Sequence, residues 1–153
     1  MRYSELTESP STGVYVCAKY DKDTRERLAD LVREHKIDNP IPSTEYHTTI
    51  VYSKSPVYWK AEHDVGKTAR ATRWEVWPSH KSGKQVLVLH LESNYLTTRF
   101  DLAMSRGASY DFPDYKPHIS FSYDIPEDFD ASKLPVPDFD LIIDKEIAEP
   151  LKD

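Results

Sequence analysis

The chain is predicted to be an α+β protein of two similar lobes, each an antiparallel sheet with its helix outside, the two sheets facing a central cleft. Three observations predict this. The order strand, helix, loop, strand occurs twice along 153 residues. The two copies keep a nearly constant offset: Val14 to Val86, Leu28 to Phe100 and Val32 to Met104 span the same separation, and His47 to His118 falls one position short of it. Finally, the second strand of each copy opens on a histidine followed two positions later by a hydroxyl residue, in His47-Thr48-Thr49 and His118-Ile119-Ser120. A chain of this length forms one domain with room for a core, here residues 1–153, with lobes over roughly residues 13–52 plus the C-terminal strands and residues 71–123.

Taken in order, residues 1–12 are polar, lack periodicity and read as a loop or arm. Residues 13–20 alternate as a strand, with Val14, Val16 and Ala18 on one face and Tyr15 and Cys17 on the other. Asp21 or Asp23 can cap the helix that follows, Glu26 standing three after Asp23, and Leu28, Leu31, Val32 and His35 fall at helical spacing. Asn39-Pro40-Ile41-Pro42 ends that helix, and the His47 strand follows. Residues 53–70 read as loop or short irregular elements. Residues 71–77 make a strand with Trp74 and Val76 opposite Glu75 and Trp77. A turn over 79–84 leads into a Val- and Leu-rich strand over 84–92. Asn94 caps a second helix with an apolar stripe of Leu96, Phe100, Ala103 and Met104, stopped at Gly107. A loop holding Tyr110, Phe112 and Tyr115 leads into the His118 strand. After an acidic, proline-containing connection, residues 140–148 form a last strand around Leu141-Ile142-Ile143.

Composition narrows the function. The formal net charge is −6, the wrong balance for tracking long nucleic acid, where phosphate neutralisation dominates affinity. The charge is uneven: residues 53–84 carry seven Lys/Arg against three Asp/Glu, and residues 111–153 carry four against twelve. A locally basic middle suits a small anion. The single cysteine, Cys17, excludes an internal disulfide, and no cysteine cluster exists for zinc. No apolar run approaches the roughly 20 residues of a membrane span, and the polar start is no signal peptide. A cytoplasmic protein without membrane or cofactor is expected.

In a strand, positions i and i+2 share a face about 7 Å apart. His47 and Thr49 therefore present one face, and His118 and Ser120 another. Facing each other across a cleft, they would surround a phosphate with two imidazoles and two hydroxyls, an acid–base site that needs no metal. The remaining histidines read as structural: His90 shares a face with Val86 and Val88, His35 lies on the first helix, and His63 and His80 sit in polar loops. Tyr110, in the loop ahead of His118, is placed to close over a ligand.

The paired motifs resemble the 2H phosphoesterase superfamily, whose mark is two H-x-T/S motifs in an internally repeated α/β fold. Within it, Ser11-Thr12-Gly13-Val14-Tyr15-Val16, Trp74-Glu75-Val76-Trp77 and Lys145-Glu146-Ile147 look like the phage anti-CBASS group, which degrades cyclic di- and trinucleotide signals of bacterial antiphage defence. The resemblance implies that His47, Thr49, His118 and Ser120 are catalytic. It also implies that an N-terminal Tyr, a central Trp and a C-terminal Glu hold the bases, roles that fall on Tyr15, Trp77 and Glu146. The expected substrate is a cyclic oligonucleotide such as 3′,3′-cGAMP, cut at a 3′–5′ bond in the cytoplasm of the infected host. The alternatives are a relative acting on RNA ends or 2′,3′-cyclic phosphates, and a protein that sequesters a cyclic nucleotide without cutting it.

Overall fold

The computed structural model describes residues 12–79, 83–112 and 114–151. Most of the expected N-terminal arm, and His80, lie outside them. The strands are β1 (Val14–Tyr20), β2 (His47–Ser53), β3 (Lys67–Pro78), β4 (Gln85–Glu92), β5 (His118–Ile125) and β6 (Leu141–Pro150). The helices are α1 (Lys22–Glu34) and α2 (Asn94–Ser105), and Ser43–Glu45 and Ala131–Lys133 form single 3-10 turns.

The six strands make one antiparallel sheet, ordered β2-β1-β6-β3-β4-β5, in place of the two sheets expected. The reason is β3. It begins at Lys67, inside the stretch expected as loop, and Lys67, Thr68 and Ala69 pair with Ile143, Ile142 and Leu141 of β6. The rest of β3 pairs with β4 after a register shift between Ala71 and Arg73. One long strand thus serves two ladders and joins the two halves of the sheet.

One face of the sheet is the core: Val16, Ala18, Ile50, Leu87, Leu89, Ile119, Phe121, Leu141 and Ile143 are all at most 1% exposed. Trp74 belongs to this face, edge-on to Phe121 and donating its indole N–H to Pro135 O. Helix α1 buries Leu28 and Val32, and its N-terminus is capped by Asp21, whose carboxylate accepts from Thr24 N at 2.8 Å. Helix α2 buries Leu96 and Ala103. Its cap is Ser93 rather than Asn94: the Ser93 hydroxyl accepts from Leu96 N. Met104, expected on the apolar stripe, is 40% exposed. Gly107 ends α2 with φ +92°, a conformation natural to glycine. Gly13 is required for closeness: a Cβ there would stand 2.0 Å from Ser53 O.

Reciprocal loops bring the two edge strands together. The segment ahead of β2 reaches the free edge of β5, with Ile41 N donating to Phe121 O at 2.8 Å and Ser122 Oγ to Asp38 O at 2.6 Å. The segment ahead of β5 reaches the free edge of β2, with Tyr115 OH donating to Thr49 O at 2.8 Å and Ser109 N to Ser53 Oγ at 2.9 Å. Between them Tyr46 packs against Phe121, ring centroids 4.7 Å apart. Both edges, which otherwise expose unpaired backbone groups, are covered, and the two histidine strands are drawn towards each other.

Candidate active site

The face of the sheet opposite the core carries the polar pattern. His47, Thr49, His118 and Ser120 are each partly exposed, while Thr48, Ile50, Ile119 and Phe121, between and beyond them, are buried. Register places Cys17 beside Thr49 and Lys19 beside His47 on this face, and His90 beside His118 and Val88 beside Ser120.

Both histidines are fixed by the same device. His47 Nδ1 lies 2.8 Å from Glu45 O, and His118 Nδ1 lies 2.8 Å from Lys116 O. A carbonyl only accepts, so Nδ1 is the protonated nitrogen in both neutral rings and Nε2 carries the lone pair. Each imidazole can therefore take or deliver a proton at Nε2 without losing its anchor. Burial holds His118 below the ordinary imidazole range. The Lys116 carbonyl opposes that effect, while nearby His90 and His47 add to it.

The Trp77 ring stands edge-on to His118, centroids 4.6 Å apart at 68°, and edge-on to His90 at 5.3 Å. One oxygen of Glu75, Oε1, accepts from Trp77 Nε1 at 2.7 Å and from His90 Nε2 at 2.6 Å, and these bonds hold the Glu75 carboxyl below its usual range. Glu75, Trp77 and His90 form one wall beside His118. Alternation groups His90 with Val86 and Val88 and so suggests a packing role. His90 is indeed buried, at 7% exposed, and its carboxylate partner lies on the neighbouring strand, where no local spacing reveals it.

Tyr15 is on the site's face, but its phenol is engaged. Its hydroxyl lies 3.2 Å from Thr49 Oγ1 and its ring stands edge-on to Tyr52 at 6.2 Å. Burial outweighs the Thr49 hydrogen bond and pushes its pKa up to about 12, so it stays neutral and is able to donate. Donating to Thr49 Oγ1, it would leave the threonine's own proton free for a ligand. Tyr110 sits in an aromatic cluster, edge-on to Phe100 at 4.9 Å, and donates to Asp114 O, which orders the loop ahead of His118.

Glu146 is not at the site. It pairs with Ala18 on the core face, and its side chain is fully buried. Arg99 grips it in bidentate fashion, Nε to Oε2 and Nη2 to Oε1 both at 2.7 Å, and Tyr95 OH adds a 2.7 Å bond. Trp59 Nε1 and Glu62 N complete the set at 3.1 and 3.2 Å. Burial alone would raise this carboxyl; the Arg99 and Tyr95 hydrogen bonds outweigh it and hold it below its usual range. The base-holding role expected of Glu146 does not fit, because its oxygens already face protein donors. The group instead ties residues 59–62 and α2 to β6. The carboxylate on β6 that shares a face with Tyr15 is its register partner Glu149.

Among the described residues, no three His, Cys, Asp or Glu side chains cluster as a metal site, and no helix is long and apolar enough to cross a membrane.

Comparison with known proteins places the fold and the family. The fold is similar to that of E. coli LigT complexed with 3′-AMP, with a TM-score of 0.52 over 95% of this chain and 96% of that one, at 16% identity. Apo LigT gives 0.51. Among curated relatives, the anti-CBASS protein Acb1 of Escherichia phage RB16 is 41% identical over 145 residues, covering 92% of this chain and 81% of that one. The Acb1 proteins of Salmonella phage S16 and Enterobacteria phage T4 are each 38% identical, over 93% of this chain and 90% of theirs. The family model described as "Anti-CBASS protein Acb1" matches residues 12–153, and the chain belongs to that family.

Proposed function

We propose that this protein is a metal-independent phosphodiesterase that opens 3′–5′ bonds of cyclic di- and trinucleotide immune signals, 3′,3′-cGAMP among them, in the cytoplasm of the infected host. The observation that carries this reading is the repeated Nδ1–carbonyl bond, which supports two imidazoles with Nε2 available beside two hydroxyls on one face.

His118, held below the ordinary imidazole range, favours its neutral form and suits the base. Its Nε2 takes the proton of the ribose 2′-OH as that oxygen forms its bond to phosphorus. The bond from phosphorus to the departing 5′ oxygen breaks, and that oxygen takes a proton from His47 Nε2. The products are a 2′,3′-cyclic phosphate and a free 5′-OH. Water then reverses the two roles to give a 3′-phosphate. Thr49 and Ser120 donate to the nonbridging oxygens, where charge builds in the transition state; one such donor is worth roughly 3 kcal/mol. Trp77, its indole N–H held by Glu75, walls the site beside His118, and Tyr15 supports Thr49.

The test is incubation with cyclic di- and trinucleotides, linear RNA and 2′,3′-cyclic nucleotides without added metal, with products read by chromatography and mass. Ring opening of a cyclic dinucleotide supports the proposal. Turnover confined to linear RNA or 2′,3′-cyclic phosphates would replace it with an RNA-end reaction, and binding without product would make the protein a sequestering one.

A further inference from the structure

Tyr52 and Tyr123 stand three residues beyond Thr49 and Ser120, and they are separated by the same offset as the two histidines. In a regular strand an odd spacing of three turns a side chain to the opposite face. Both strands break that rule at the same place. On β2, Val51 pairs with Val16 and Thr49 with Cys17, so Ile50 is an extra residue. On β5, Ser122 pairs with Leu87 and Ser120 with Val88, so Phe121 is the extra one. A β-bulge re-aims the side chains after it, and these two turn Tyr52 and Tyr123 onto the open face. Tyr52 accordingly meets Tyr15 edge-on at 6.2 Å, and Tyr123 is near enough to Tyr15 to help raise its pKa. Both rings remain largely in solvent, 52% and 54% exposed, although each flanks a site whose other aromatics, Tyr15 and Trp77, are held by Thr49 and Glu75.

Two large aromatic rings kept in water, one on each histidine strand and each delivered by its own bulge, are what a ligand with two flat apolar groups would cover. We propose that Tyr52 and Tyr123 are paired base platforms, so that the site selects a phosphodiester carrying a nucleobase on each side of the scissile phosphate. The inference rests on the proposed phosphodiesterase reaction and gives it a substrate requirement: two bases, one per tyrosine, in cyclic or linear form.

The test compares wild type, Tyr52→Ala, Tyr123→Ala and the corresponding Phe variants on a cyclic dinucleotide, a linear dinucleoside monophosphate, a 2′,3′-cyclic mononucleotide and a baseless diester without any aromatic ring, the 3′-(methyl phosphate) of 1-O-methylribose. Stacking by one base is worth roughly a five- to hundredfold change in affinity. Each Ala variant should raise KM for the two-base substrates by that factor, leave kcat/KM on the baseless diester within about twofold, and be restored by Phe. If the wild type cuts only the linear dinucleotide, the cyclic reading fails, yet the same KM pattern on that substrate still supports the platforms. Ala variants with unchanged KM on two-base substrates, or a wild type that handles one- and two-base substrates equally, would overturn the inference.

Discussion

His47 and His118 hold their rings by the same bond, Nδ1 to the carbonyl two residues upstream at 2.8 Å, yet stand in different surroundings. Lys19 is the register neighbour of His47, while His118 is half-enclosed by Trp77 and His90. On that asymmetry we propose His118 as the base and His47 as the acid. A substrate whose 5′ bridging oxygen is replaced by sulfur needs no acid. His47→Ala should therefore recover most of its lost rate on such a thio substrate, and His118→Ala should not. Recovery by His118→Ala alone would reverse the assignment.

The depressed pKa of His118 has two consequences with opposite readouts. Activity needs its neutral form, so the acid limb of kcat/KM should fall below the ordinary imidazole value of about 6.5. Stability moves the other way. As pH drops through about 6.5 the unfolded chain takes up a proton that folded His118 still refuses, so stability falls from there down to the folded pKa. His118→Asn should flatten that part of the stability profile; an unchanged slope would contradict a depressed His118.

Tyr15 is tested by its hydroxyl. Because it bonds Thr49, Tyr15→Phe should lower kcat roughly fivefold, the value of about one neutral hydrogen bond, with KM little changed. A raised KM with kcat intact would point to base stacking instead.

Glu75 orders the wall beside His118 through two hydrogen bonds from one oxygen. Its side chain is 39% exposed, so the fold should tolerate Glu75→Ala. Freed of their acceptor, Trp77 and His90 should loosen, and kcat/KM should fall on the order of tenfold, a hydrogen bond to a charged group being worth about 1.5–3 kcal/mol. Unchanged kinetics and an unchanged His118 titration by NMR would show the wall to be passive.

For Glu146 the expected loss is stability. Glu146→Ala takes the bidentate partner from Arg99, whose side chain is 13% exposed, and leaves it Lys60 O and the more distant Glu62 carboxylate. Losing one partner of a buried pair costs up to about 3–5 kcal/mol, so the unfolding midpoint should drop. A fold of wild-type stability with weakened nucleotide binding would restore the ligand role.

Alternation makes the shared face of the candidate site legible. His47, Thr49, His118 and Ser120 share a face because each pair is two residues apart on an unbroken stretch of strand. What alternation hides is a bulge. Counting by twos from Leu141 and Ile143 turns Glu146 outward, but the pairing of β1 with β6 shifts between Lys19 and Tyr20 and sends Glu146 into the core. The same blindness conceals Tyr52 and Tyr123. The single sheet is hidden for another reason: Lys67-Thr68-Ala69 is too short and polar to read as strand, and only pairing with β6, at the far end of the chain, makes it one.

The most direct measurement is turnover of 3′,3′-cGAMP in excess EDTA by wild type, His47→Ala and His118→Ala, with folding checked by circular dichroism. The two-histidine mechanism predicts ring opening by the wild type despite the chelator and a loss of about 10²- to 10⁴-fold in each folded variant. Wild-type turnover abolished by EDTA and restored by a divalent ion, or near-normal turnover by either variant, would contradict it.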